Sequence, residues 1–474
     1  MESIFENINA HLEGKFWTRL EPPVAITPQQ ELHRGTLFET NESKQLLKKR
    51  NYLLTNTSLF FAEEDYSLAR KESSIRWMIM EPFIETLGED TKYGFRLKQG
   101  ACQKDFYTDS NESLDIWIDK LSSICIMTSI ENDYKFVKKI GKGSFADVYL
   151  AKDLITSENV AIKAIHKIVC LKSPNGLSSL VNEIEIMRKL DHPNIIKFYK
   201  IYESEHHISL VLDFLEGGEL FTRVLSKGSY TEKEAARLIW KLLKVLKYLD
   251  SNQIIHRDVK LENIMLKSKD KNTSFKLIDF GLACYCEENL TLRCGSPGYI
   301  APEILKKYPY STKADVFSAG VILYILLSGR SPFPGRNNGE VLARNRDCRL
   351  HFEDSYWSAV SAQAIKFVLT LTESNPDLRP TAKEALKSSW FLILKRHERR
   401  KNHNKSKFIP IALQNPFQEI KEEENEEEPH HRHGAISSGD TTPVLRNNPR
   451  MPINFRKSAI NFEDNETYRD KFDF

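Results

Sequence analysis

Long hydrophobic runs are missing from this 474-residue chain. Even Ala319–Leu327, its most apolar stretch, has the length of a buried core helix and falls short of the roughly 20 residues a membrane span needs. Net charge is almost missing as well: 68 Lys and Arg against 65 Asp and Glu leave +3, which implies neither nucleic acid nor a bulk acidic surface as partner. Cysteine is sparse and unpatterned. The count is seven, an odd number without zinc-ligand spacing, and Cys284 and Cys286 make only a CxC that reads as free thiols. With no secretory leader pattern in Met1–Leu20, this usage sets the expected location in a reducing cytoplasm. The length predicts about two or three domains.

What is present is concentrated in a few short stretches. His256-Arg257-Asp258-Val259-Lys260-Leu261-Glu262-Asn263 lies between Ile254-Ile255 and Ile264-Met265-Leu266, the pattern of a loop between buried elements. Downstream, Asp279-Phe280-Gly281 follows Phe275-Lys276-Leu277-Ile278, a short strand feeding a turn. Transfer of a terminal phosphoryl group to a hydroxyl needs an acceptor for the hydroxyl proton, oxygen ligands for magnesium, and fixed positive charge on the phosphate chain. Asp258, the pair Asn263 and Asp279, and Lys260 supply these in turn. Upstream, Gly141-Lys142-Gly143 sits between Tyr134–Val137 and Val148–Leu150, which reads as strand, tight turn and strand. Glycines at 141 and 143 let the backbone approach phosphates without a Cβ in the way. Val160-Ala161-Ile162-Lys163 follows at the distance of a third strand. A helix candidate, Leu180–Met187, carries Glu183 and Glu185, both available to orient Lys163.

In this order the motifs form the signature set of protein kinases, and from about Tyr134 to Phe391 the chain resembles a eukaryotic protein serine/threonine kinase domain. Ala301-Pro302-Glu303 and Asp315–Gly320 match the segments that anchor the larger lobe, and Arg379 matches the arginine that pairs with the Glu303 position. Residues 216–221 and 186–195 resemble the calcium/calmodulin-dependent group most closely. The resemblance implies an α+β, two-lobed kinase fold using ATP and Mg2+, with Asp258 as base and Lys260, Lys163 and Glu183 as its catalytic partners. It implies Asn263 and Asp279 as metal ligands and Ile140, Gly141, Gly143, Val148, Ala161, Lys163, Asp213 and Leu215 around the nucleotide, Leu215 through its backbone. Glu219, Glu262 and Ser296 match substrate-binding positions, so basic peptides are the expected substrates. Two departures carry consequences. Ala146 stands where a third glycine is usual, which predicts a slightly stiffer loop. Thr291, the expected activating phosphosite with Arg257 as partner for its phosphate, lies one residue before the usual place, where Leu292 stands; an ordinary loop threonine is the alternative. A catalytically weak kinase-fold scaffold is the competing functional expectation.

Before the kinase-like region, after an extension over residues 1–29, come His33–Phe38, Leu46–Leu54, Ser58–Phe61, Arg76–Met80, Tyr93–Leu97 and Lys104–Tyr107, which read as short strands at hairpin spacing. Ser110-Asn111-Glu112-Ser113 then opens a helix whose packed face is Leu114, Ile116-Trp117-Ile118 and Leu121. Strands closed by one tryptophan-bearing helix resemble a pleckstrin homology domain, a β-barrel or sandwich over 30–126. In lipid-binding members basic residues of the first two strands grip phosphoinositide head groups; Lys48 and Arg50 fit the second strand, and His33 or Arg34 are the nearest candidates in the first. Recruitment to a membrane surface or contact with a protein partner are both expectations. After Phe391 the composition turns to charge: Lys395–Lys401 is basic, Glu422–Glu428 acidic, and His430-His431-Arg432-His433 follows. Residues 392–474 read as a mostly disordered tail. Trp390–Lys407 has some features of a calmodulin-target helix, with a solvated helix end as the alternative, and the histidines read as a polar tract in preference to a metal site.

Overall fold

Alternation of apolar and polar residues builds the first half of the molecule. The computed structural model describes residues 3–8, 15–39, 49–87, 90–143, 145–352, 355–392, 394 and 460–461. Within them β1 (Thr18–Val24) is followed by β2 (Glu31–Glu39), β3 (Arg50–Thr55), β4 (Ser58–Ala62), β5 (Ala69–Ser74), β6 (Ile79–Leu87), β7 (Asp90–Gln99) and β8 (Cys102–Thr108). β2 serves two neighbours: Leu37 and the residues before it pair with β3, while Phe38 and Glu39 pair with β8. α1 (Asn111–Ser122) closes the layer, its first turn capped by the Ser110 hydroxyl, which accepts from the Ser113 amide, and it buries Leu114, Trp117 and Leu121.

Three details differ from the sequence reading. Arg76-Trp77-Met78 is a turn, closed by the Met78 amide donating to Ile75 O, and the strand begins at Ile79. β5, Ala-Arg-Lys-Glu-Ser-Ser, has too little apolar signal to be found by pattern and is held by β4 and β1. β1 comes from the expected extension; its Pro22 and Pro23 cannot donate to a ladder, and the strand stands at the sheet edge.

β9 (Ile126–Met127) joins this region to the next. It pairs in parallel with β6 on one side and with β13 (Phe198–Glu203) on the other. β13 belongs to a five-stranded antiparallel layer with β10 (Tyr134–Lys142), β11 (Ala146–Asp153), β12 (Asn159–His166) and β14 (His207–Asp213). A single sheet therefore runs through both regions, with fourteen strands among the described residues. The core is shared too: Trp117, Phe95 and Met80 pack in one cluster with Tyr134, Ile162 and Val211.

Two helices follow β12: α2 (Lys167–Lys172) and α3 (Gly176–Lys189). The N-terminal region grips α3. Arg188 donates to Arg76 O at 3.1 Å and Ile124 O at 2.6 Å and lies over the Trp77 ring, Arg76 pairs with Glu185, and Phe5 stacks on Trp77.

The larger lobe is helical. α4 (Leu220–Lys227) and α5 (Glu232–Ser251) precede two short ladders, β15 (Ile254–Ile255) with β18 (Cys284–Tyr285), and β16 (Ile264–Leu266) with β17 (Phe275–Leu277). Beyond them lie β19 (Cys294–Gly295), α6 (Pro302–Leu305), α7 (Lys313–Ser328), buried from Ala314 onward, α8 (Asn338–Asp347), α9 (Ala362–Leu371) and α10 (Ala382–Ala385). No helix among the described residues is long and apolar enough to cross a membrane. The basic, acidic and histidine runs of the tail lie outside the described residues. One piece of the tail is described: β20 (Ile460–Asn461) lies antiparallel to β19.

Candidate active site

The loop between β15 and β16 is held from below by a buried carboxylate. Asp315 on α7 accepts from the amides of His256 at 2.7 Å and Arg257 at 3.0 Å. Burial raises its pKa, and these donors oppose the rise. Arg257 takes a φ of +65°, a conformation a non-glycine residue adopts at a cost, which the two bonds to Asp315 offset. Next to it Asp258 is buried with its carboxylate met by three donors: Ser296 Oγ at 2.7 Å, Lys260 Nζ at 2.7 Å and Asn263 Nδ2 at 2.9 Å. An ionised carboxylate offers about four acceptor sites, so one remains for an incoming hydroxyl.

The Asp279 turn is tied to the same loop, since the Ile278 amide donates to Asn263 O at 2.9 Å. Asp279 itself has φ +61° and a side chain 49% exposed, 3.4 Å from Lys163 Nζ. Lys163 lowers the Asp279 pKa and keeps it ionised. Lys163 in turn lies 2.7 Å from Glu183 on α3. Burial alone would depress the lysine, but the Glu183 and Asp279 carboxylates outweigh it and hold its pKa above the usual range. Of the two carboxylates on the helix, Glu183 takes the lysine and Glu185 takes Arg76.

Lys163 shares the sheet with the glycine turn. Gly141 pairs with Val148, Val148 pairs with Lys163, and Ala161 pairs with Leu212, one residue before Asp213. The Gly143 amide donates to Ala146 O at 2.8 Å, which closes the turn, and a Cβ on Gly143 would stand 3.2 Å from that same oxygen. Ile140 is exposed on β10. Asp213 carries its side chain out of the cradle: Tyr199, Lys276 and the Lys197 amide all donate to it. Leu215 lies two residues on. Asn263, with Nδ2 engaged, has its amide oxygen available, and with Asp279 it could provide two oxygen ligands; no cluster of three or more His, Cys, Asp or Glu side chains that could hold a metal ion exists among the described residues. Two ligands suit a hard divalent ion that takes the rest of its shell from phosphate oxygens and water.

On the acceptor side, Ser296 bridges Asp258 and Lys260, receiving from the lysine at 2.8 Å. Glu219 is exposed at the start of α4. Glu262 is pushed up to about 7 by burial, and its Oε2 is enclosed without a hydrogen-bond partner. Thr291 is exposed; Arg257 gives its Nε to Leu282 O at 2.6 Å. Glu303 and Arg379 form a two-pronged buried pair at 2.6 and 2.9 Å beneath this segment. In the N-terminal region Lys48 lies outside the described residues, and Arg50 sits over the Phe61 ring. His33 packs edge-on against Trp117, and Arg34 is paired with Glu31. Sequence reasoning did not find the contacts of Arg188 and Glu185 on α3 with the N-terminal region, because their partners Arg76, Trp77 and Ile124 lie far away along the chain.

Residues 134–391 match the family described as Protein kinase domain. The chain is 36% identical over 349 residues to "Probable serine/threonine-protein kinase 2" of Plasmodium falciparum, covering 73% of this chain and 65% of that protein, just under two thirds of its length. It is also 36% identical over 266 residues to "Myosin light chain kinase A" of Dictyostelium discoideum, covering 56% of this chain and 90% of that protein. The first alignment is longer than the matched domain, so it includes residues outside 134–391.

Proposed function

The chain belongs to the protein kinase family, residues 134–391 being a protein serine/threonine kinase domain, and from that premise we propose that the whole protein transfers the γ-phosphoryl group of Mg-ATP to serine or threonine hydroxyls in basic sequence contexts. The observation that carries this is the Asp258 carboxylate, three of its acceptor positions filled and one open, in a loop bonded to the turn that presents Asp279 to Lys163. Asp258 orients the acceptor hydroxyl and takes its proton. Lys260, 2.7 Å from that carboxylate, lends positive charge to the transferred group. Lys163, fixed by Glu183, holds the phosphate chain, and the Gly141–Gly143 turn lets backbone amides close on it. Asn263 and Asp279 would hold magnesium, which neutralises phosphate charge when bound. Glu219 and Glu262 favour cationic residues in the peptide.

The strand-rich region 30–126 is read as pleckstrin homology-like. Seven antiparallel strands, β2 to β8, closed by α1 with Trp117 inside, support that reading. Its partner is the kinase domain itself, through α3, more than a phosphoinositide, since the first-strand cations are engaged. Seven free thiols support a reducing, cytoplasmic location. The test is transfer of labelled phosphate from Mg-ATP to a basic peptide: full activity in the native protein, none in Asp258→Ala with nucleotide binding retained. Equal transfer by both proteins would refute the assignment.

A further inference from the structure

The outer face of α5 carries a groove that shares no residue with the active site. The helix turns Ala235, Leu238, Leu242 and Leu249 inward. The positions left outside, Arg237, Trp240, Lys244, Lys247 and Ser251, recur at intervals of three and four residues, so they share one face. Between that face and Leu386, just past α10, lies an open groove of about 390 Å3 lined by Trp240, Lys244, Lys247, Tyr248, Ser251 and Leu386.

Its floor is apolar and its rim is cationic. The Trp240 side chain is 36% exposed, and the Lys244 ammonium lies 4.5 Å from the centre of its ring. Tyr248 is fixed in place: its hydroxyl accepts from the Asp191 amide at 2.9 Å, and its ring lies against His192 with centres 5.3 Å apart. Charge on this face is of one sign. All three carboxylates of α5 are engaged elsewhere, Glu232 with Ser361 and Trp390, Glu234 with Thr231 and Lys227, and Asp250 with Thr312. Among the described residues no carboxylate pairs with Lys244 or Lys247. Lysines alone on a helix face are an ordinary solvated surface. An exposed tryptophan among them, beside a void of side-chain size, is what contact surfaces enrich.

We propose that this groove is a docking site for a protein partner, which enters as a short acidic segment. One large apolar side chain covers Trp240 and fills the void toward Leu386, and carboxylates on either side of it meet Lys244 and Lys247. A protein segment fits better than a phosphate chain, because the void is walled mainly by carbon and carries two ammonium groups at its rim in place of a continuous cationic track. The catalytic cleft has the opposite sign, with Asp279, Glu219 and Glu262 facing it, so a segment suited to the groove is repelled from the cleft. The inference stands apart from the kinase reading, since it needs only α5 and α10 in place.

The experiment titrates the full-length protein into a fluorescein-labelled peptide with one phenylalanine between runs of glutamate, read by anisotropy at low and at physiological salt, and repeats it with W240A and K244E/K247E. Both variants change exposed side chains outside the active site, so phosphoryl transfer to a basic peptide is expected to match the native protein. Each is expected to weaken the labelled peptide about tenfold, the charge reversal by less as salt rises. Serine in place of the phenylalanine is expected to weaken it by a similar factor. No saturable binding to the native protein, or equal binding by the native protein and either variant, overturns the proposal. Binding that appears only after the glutamates between 422 and 428 are replaced by glutamine would give the groove to the chain's own acidic run and overturns it too. Sedimentation with phosphatidylserine vesicles that both variants abolish, with no binding of the peptide, would assign the face to a membrane and overturns it equally.

Discussion

Replacing Arg188 by methionine tests whether the N-terminal strands set the position of the catalytic helix. The side chain is 6% exposed, donates to carbonyls at 3.1 and 2.6 Å, and lies 4.9 Å from the centre of the Trp77 ring. Two charge-assisted hydrogen bonds contribute about 3–6 kcal/mol before desolvation. The ring contact adds about 2 kcal/mol at a desolvated site. Burial works against both: desolvation pushes the guanidinium down to about 10 from 12.5, equivalent to about 3 kcal/mol. The net loss on substitution is then about 2–5 kcal/mol, since methionine keeps the stem packed but leaves both carbonyls without a donor. At roughly 2–4 °C per kcal/mol this lowers the midpoint of thermal unfolding on the order of 10 °C. The consequence for catalysis follows from the helix. Glu183 lies little more than one turn before Arg188, so a shift of α3 that accommodates methionine moves the carboxylate away from Lys163. Assayed well below the new midpoint, kcat is expected to fall about tenfold, a barrier increase of about 1.4 kcal/mol. Lysine at 188, which keeps one charge-assisted bond, should recover part of both losses. A variant that melts earlier yet keeps native kcat would refute the coupling and reduce the contact to plain packing.

Three other outcomes follow from the same geometry. Glu262, raised to about 7 chiefly by desolvation, gains its charge between about pH 6 and 8, so kcat/KM for an arginine-containing peptide should rise across that window, and Glu262→Gln should flatten the profile. The unfolded chain releases that proton first, near 4.5, so this group's contribution to stability declines as pH rises from about 4.5 to 7. Glu303→Gln strands the fully buried Arg379 and should cost about 3–5 kcal/mol, read as a lower urea midpoint with unchanged slope. Chelation of divalent ions should stop phosphoryl transfer without altering the unfolding midpoint by more than a degree or two, because Asn263 is already fixed by Asp258 and Asp279 by Lys163.

The kinase half was legible because its chemistry is local in sequence. Asp258, Lys260 and Asn263 fall within six residues of one another, and the hydrogen bonds that fix them are formed largely inside that loop. Glu183 against Glu185 was decidable by motif register and is settled by geometry, one facing Lys163 and the other Arg76. What the sequence hid depends on partners far away along the chain. Arg188 looks like a helix-end cation until Ile124 and Trp77 cover it. β5 carries hardly any apolar pattern because its pairing with β4 and β1, and not its own side chains, makes it a strand. The joining of the two regions turns on β9, two residues long, too short for any periodicity to announce.

Charge accounts for why the cleft waits for guests of one sign. Asp258 is met by three donors that leave one acceptor position open, and Asp315 and Glu303 are each satisfied by groups of their own lobe. Three acidic groups are left facing the site with partial or no compensation: Asp279, sharing Lys163 with Glu183, and Glu219 and Glu262 at the acceptor end. In a medium of lowered dielectric such groups repel anions and stabilise cations. Under the proposed function, Asp279 would meet that need with a divalent ion bound together with the nucleotide. Under the proposed function, Glu219 and Glu262 would meet it with the basic residues of a peptide.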